Sequence, residues 1–216
     1  VFLLPFASAS RLLLGAAWSP VALLVAFTGW LAIGQLLPGR TDHHGLQLGL
    51  TMVAVALLLL GLASRGWRRG IAFAGLPIGL SIWIGLETAP VIATWFAALG
   101  LVWCRRGGDL AQQAAAAAAI AWLVCLAALV GATPPAHWLV PACDALSVVP
   151  MTGLALIAAG FGLLHVLQRW ALTPALRVGC AGLCGAVVAL AFLLAYPGCI
   201  RGYGLSLEPL VEEHWL

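Results

Sequence analysis

An all-α, polytopic transmembrane helical bundle with about seven spanning helices is the fold class this sequence predicts. Three observations lead there. The 216 residues are 63% hydrophobic and only 8% charged, with a mean hydropathy of +1.09, where soluble domains carry about 25% charged residues. The apolar residues fall into runs close to the ~20 residues a helix needs to cross a bilayer. No run sustains the period-2 alternation of a half-buried strand. A soluble enzyme, a disordered chain and a secreted disulfide scaffold are excluded on these grounds. Residues 1–216 read as one transmembrane domain.

The elements follow in order. Val1–Ala9 is apolar but too short to span, and reads as the tail of a truncated helix. The chain is therefore expected to be a piece of a longer one. The first full run is Trp18–Leu37. Ser19-Pro20 opens it and Pro38-Gly39 closes it, with proline in the first turn and glycine past the end. The second run is Leu46–Ser64. The stretch Ile71–Cys104 covers about 34 residues, roughly 50 Å as helix, against a hydrocarbon core of about 30 Å. Gly85, Glu87 and Pro90 interrupt it, so it divides there into two short crossings. Leu110–Gly131 contains an alanine tract, which in lipid is a close-packing surface. Met151–Gln168 and Val178–Ala195 complete the set.

Arginine orients the bundle. With seven crossings, one end collects Arg11, Arg65, Arg68, Arg69, Arg105, Arg106, Arg169 and Arg177, eight of the ten cationic residues. The positive-inside rule puts that end in the cytoplasm, and Trp18, Trp67, Trp103 and Trp170 fall at its interface as an aromatic belt. The opposite end faces the exterior of an inner (plasma) membrane. It holds Asp42, Glu87, Asp144, Glu208, Glu212 and Glu213, together with His43, His44, His137 and His214. The net charge of +3 is too small to imply nucleic acid; membrane lipids are the expected surroundings. Cys143 and Cys199 are the two cysteines placed in outer loops, where the compartment permits oxidation, and a disulfide between them is expected.

The chemistry-bearing residues gather on that outer end. Arg40-Thr41-Asp42-His43-His44-Gly45 forms a short loop leading into a helix. A carboxylate and an imidazole can share a divalent ion. Alternate residues of an extended loop point the same way, so Asp42 and His44 are the expected ligands and His43 is expected to face elsewhere. The competing reading is that Asp42 caps the helix. Glu87 interrupts an apolar stretch at or near membrane depth, where an ionisable residue is costly and functional by default. It can serve as ligand, base or partner to a histidine; the alternative is a solvated interfacial carboxylate. His137 stands in an outer loop with Asp144, either facing the site or simply solvated. Arg201 lies among glycines and suits a phosphate oxyanion, as does Arg40; a loop ion pair with Glu208 is the competing role. No Cys-x-x-Cys motif with a following histidine occurs, and no glycine-rich nucleotide loop.

The segment Pro38-Gly39-Arg40-Thr41-Asp42-His43-His44, opening a transmembrane helix, resembles the second acidic motif of the GT-C glycosyltransferases, closest to the catalytic subunit family of oligosaccharyltransferases. Gly79-Leu80-Ser81-Ile82-Trp83-Ile84-Gly85 is similar to a tryptophan- and glycine-bearing helix of that family. Glu208-Pro209-Leu210-Val211-Glu212-Glu213-His214-Trp215-Leu216 resembles the stretch before its later acidic loop motif. The resemblance implies a GT-C-like membrane core that takes a sugar or oligosaccharide from a polyprenyl-phosphate-linked donor on the outer face. It implies a divalent metal, Mg or Mn, at Asp42 and His44, with Asp42, Glu87 and His137 as candidate catalytic groups and Arg40 and Arg201 on the phosphate. The family's first acidic motif, its later glutamate motif and its soluble domain have no counterpart here. The chain by itself is therefore expected to be inactive. The alternative class is a transporter or flippase-like carrier, with Asp42 and Glu87 as ion or proton sites and the third and fourth helices as a broken-helix element. Ionisable residues at one surface, beside loops, favour surface chemistry on a lipid-linked substrate over that alternative.

Overall fold

The computed structural model describes residues 3–16, 19, 43–143, 145–170 and 173–201. Described residues are helical or in turns, with no strand among them. Helix α1 is Leu3–Leu14, α2 His44–Ala63, α3 Gly70–Phe73, α4 Gly75–Ile84, α5 Ala89–Arg106, α6 Leu110–Ala132, α7 Val148–Leu167 and α8 Pro174–Ala195. The α1 helix runs past the Val1–Ala9 segment to Leu14. The expected run Trp18–Leu37 lies, apart from Ser19, outside the described residues. The remaining runs match helices to within a few residues, and the long apolar stretch divides at residues 85–88, as Gly85 and Pro90 foretell.

Local chemistry sets the boundaries. Pro77 has no N–H to offer the carbonyl of Phe73, and the helix breaks at Ala74 between α3 and α4. Pro90 sits in the first turn of α5 and Pro174 in that of α8, where proline is tolerated. The side chain of Ser147 caps α7 by accepting from the Val149 N–H, and Thr173 caps α8 by accepting from Leu176. Gly107 and Gly108 make the α5–α6 turn with φ of 62° and 73°, the left-handed region that favours glycine.

Among the described residues, α2, α6, α7 and α8 are long and apolar enough to cross a membrane. The α3–α4 pair spans only Gly70–Ile84, and α5 ends in Arg105-Arg106. Four helices among the described residues thus have the length and apolarity of a span, against the seven crossings expected for the whole chain. The outer surface suits lipid: Leu101 and Leu194 are 70% and 72% exposed, and α8 buries little besides Cys184.

The core forms around the alanine tract. Ala111, Ala114, Ala117, Ala118 and Ala121 are all fully buried on one stripe of α6. Gly75 and Gly79 of α4, spaced as small-x-x-x-small, press against that stripe. Trp103, Leu99 and Ile71 fill the adjoining space. The Trp95 indole N–H donates to the Ala54 carbonyl at 3.0 Å and ties α5 to α2.

Contacts between helix ends define two ends of the bundle. At one, Arg68 lies 3.7 Å from Asp109 and Arg106 donates to the Leu62 carbonyl. At the other, His43 meets Glu87, Thr152 and Tyr196 share a hydrogen bond, and Cys143 is disulfide-bonded to Cys199 with Cα atoms 5.4 Å apart. The disulfide anticipated from the placement of these cysteines is present.

Candidate metal centre

The site is built where α2 begins and α4 ends. The chain turns into α2 with His43 at the N-cap position, φ −74° and ψ −14°. This is helical backbone, not extended loop. The expected alternation of side chains therefore fails at this point, and His43 does not face away. Its Nε2 lies 3.5 Å from Glu87 Oε1, and its ring centroid is 4.4 Å from that of His44. The cap position belongs to His43, which makes no side-chain capping bond.

Gln47 lies one helical turn further on, at 1% exposure. Its amide nitrogen has three acceptors within reach: Glu87 Oε2 at 3.0 Å, the Gly85 carbonyl at 3.0 Å and the Ser81 carbonyl at 3.3 Å. The Gly85 carbonyl stands at the C-cap of α4, past the helix's own hydrogen bonds, while the Ser81 carbonyl also accepts from the Gly85 N–H. Gln47 Oε1 faces His44 Nδ1 at 3.4 Å. An amide oxygen only accepts, so Nδ1 carries the proton and the His44 lone pair sits on Nε2. Thr51 Oγ1 donates to the Gln47 carbonyl, and Ser81 shares a 2.7 Å hydroxyl contact with Thr88. Gly85 is required for closeness: a Cβ there would strike the Glu87 carboxylate and come within 3.0 Å of the Gln47 amide nitrogen.

Electrostatics keep Glu87 ionised. Partial burial would raise its pKa; the Gln47 amide, its own backbone N–H and His43 together outweigh that and leave it below the ordinary value. The side chains of His43 and Glu87 are about half exposed, at 51% and 52%. Glu87 thus lies in the α4–α5 connection at the end of the bundle, not inside a span.

His43, His44 and Glu87 each present one ligand atom, and those atoms lie within 4.8 Å of one another. They are the described residues that fit a metal. His44 and Glu87 are thus together, as the sequence suggests. His137 is exposed in the Pro135–His137 turn and is not part of this group. Arg40, Asp42, Asp144 and the side chain of Arg201 lie outside the described residues, as do residues 202–216. Sequence reasoning gave no role to Gln47. Its signal was there: a lone amide in an apolar helix, three and four residues after the two histidines.

No family model, no curated protein and no solved structure matches this chain. The site is accordingly defined by its own chemistry. It is a His–His–Glu cluster at the end of the bundle away from Arg68 and Arg106, in a chain with four described helices long and apolar enough to cross a membrane.

Proposed function

We propose that the protein is the membrane core of a polyprenyl-phosphate-dependent glycosyltransferase of GT-C type, acting on the outer face of the plasma membrane. One observation carries this reading: the residues that follow Asp42 fold back onto Glu87, so that two imidazoles and a carboxylate converge on the bundle end opposite Arg68 and Arg106. A lipid-linked donor presents its phosphate at that depth, where the membrane meets water.

Each residue has a task in this reading. Asp42 and His44 are assigned to the leaving phosphate, and the Glu87 carboxylate beside the two histidines serves the same centre. Arg40 and Arg201 receive the phosphate oxygens. A divalent ion, Mg or Mn, would act there as a Lewis acid on the leaving phosphate. The bond from the sugar's anomeric carbon to the phosphate oxygen breaks, and its electron pair stays on that oxygen. The acceptor forms the new bond to the anomeric carbon, and its proton passes to the departed phosphate. A carrier mechanism fits less well, because Glu87 is half exposed at an end of the bundle rather than near the midplane.

The test is transfer of a labelled sugar from a polyprenyl phosphate by membranes carrying the full-length protein. Asp42→Asn and Glu87→Gln should each lower the rate by about 10²-fold or more, the scale of losing a group that stabilises a developing oxyanion. Near-full transfer by both variants would reject the assignment.

A further inference from the structure

We propose that His43, His44 and Glu87 together bind one divalent transition-metal ion of the zinc class, in preference to Mg²⁺, and that Gln47 orients two of the three ligands. The inference rests on the metal-assisted reading above, but changes both its ligand set and its ion. His43, expected to point away, becomes a ligand.

Geometry comes first. Two ligand atoms bound to one tetrahedral ion at about 2.1 Å stand roughly 3.4 Å apart. His43 Nε2 and Glu87 Oε1 are 3.5 Å apart. All three ligand atoms fall within 4.8 Å, and His43, half exposed and without a capping bond, can adjust by side-chain rotation to close the remainder.

Donor chemistry selects the ion. Two imidazoles and one carboxylate suit zinc and its first-row neighbours. Mg²⁺ prefers oxygen ligands and retained waters. Three protein ligands also leave a coordination position open, as catalytic zinc sites do.

The arrangement behind the ligands is the independent support. Gln47 Oε1 accepts from His44 Nδ1, which presents Nε2 to an ion. Gln47 Nε2 donates to Glu87 Oε2, which leaves Oε1 turned towards His43. One buried amide thus fixes the histidine tautomer and the carboxylate rotamer together, the role that outer partners play in metal sites. An exposed His43–Glu87 ion pair alone would be worth little and would not need a buried amide on both neighbours.

The experiment uses the full chain purified in detergent, stripped with a chelator and titrated with Co²⁺, Zn²⁺ and Mg²⁺. One Co²⁺ per chain should bind with visible ligand-field bands and be displaced by Zn²⁺ but not by excess Mg²⁺. His43→Ala, His44→Ala and Glu87→Gln should each weaken binding by more than the roughly 10–100-fold that loss of an outer partner costs, and Gln47→Leu by about that amount. His137→Ala should leave it unchanged. If a variant fails to fold by size exclusion, Glu87→Asp and His43→Asn carry the same comparison. Binding unaffected by His43→Ala and Glu87→Gln would mean an ion pair only. Thiolate charge-transfer bands would move the ion to Cys180 and Cys184, and equal competition by Mg²⁺ would reject the ion class; each overturns the proposal. A bound ion in a full-length protein that transfers no sugar would overturn the glycosyltransferase reading alone. Full-rate transfer by metal-stripped His43→Ala would overturn the ion assignment and leave transfer standing.

Discussion

Gln47 is the residue on which the end of the bundle depends. Its amide joins the first turn of α2 to the last carbonyls of α4 and to the Glu87 side chain. Gln47→Leu keeps the volume and takes the donor from the Gly85 carbonyl and from Glu87. Leaving a buried polar group unpaired costs about 1–3 kcal/mol, so thermal unfolding in detergent should show a lower midpoint. Gly85→Ala acts differently. The new Cβ meets the far end of the Glu87 side chain and the Gln47 amide, so the carboxylate must swing away while the helices stay in place. Divalent-ion affinity should fall with little change in the unfolding midpoint. A loss of folding equal to that of Gln47→Leu would show that Gly85 supports the backbone rather than the site. The position of His43 also changes an expectation about variants. An extended loop would make His44 the more important histidine, whereas a helical start brings both rings to Glu87. His43→Ala should therefore be about as damaging to ion binding as His44→Ala.

Between elements, packing is decided by small residues. A Cβ on Gly75 would strike the Ala117 carbonyl and sit 2.8 Å from the Ile120 Cβ. A Cβ on Gly79 would lie 2.7 Å from the Val124 Cβ and 2.8 Å from the Ala121 carbonyl. Backbone cannot yield as a side-chain tip can. Gly75→Ala and Gly79→Ala should each destabilise by about 1–3 kcal/mol through overpacking. Gly131→Ala, which meets open space, should be neutral, and unfolding of the three variants side by side checks the contrast. The Cys143–Cys199 bridge ties the α6–α7 connection to the turn after α8, 56 residues on. Its double replacement by serine should cost about 2–4 kcal/mol. A maleimide-polyethylene glycol shift at these two positions should require prior reduction.

For the whole molecule, the contacts sort the connections into two ends, one with Arg68, Arg106 and Asp109, the other with His43, Glu87 and the disulfide. That sorting has a consequence in the membrane. Single cysteines introduced at Gly66 and Ala136, both exposed, should label with an impermeant thiol reagent from opposite sides. By arginine bias, Gly66 should label from the cytoplasm. Labelling of both from one side would overturn the arrangement of the bundle, and labelling with the sides exchanged would overturn its orientation.

The sequence by itself determined the helices and their breaks. Apolar run length, Pro77, Pro90, Pro174 and the capping residues act locally, and each boundary depends on a few neighbouring atoms. It also determined the two-ended charge pattern, because alternating crossings send every second connection to the same side. The broken α3–α4 segment was legible only in part. Its interruption at Gly85 was visible, whereas the further break at Ala74 rests on how Pro77 frees the Phe73 carbonyl. The site was decided by tertiary structure. Gln47 and Glu87 are 40 residues apart, and no local pattern says which face of α2 meets the end of α4. That choice is made by the alanine stripe of α6, which draws Gly75 and Gly79 into close contact and so fixes where α4 stops against α2. Once α4 ends there, the Gly85 carbonyl at its C-cap needs a donor. The buried Gln47 amide supplies it and, in doing so, brings Glu87 to the histidines.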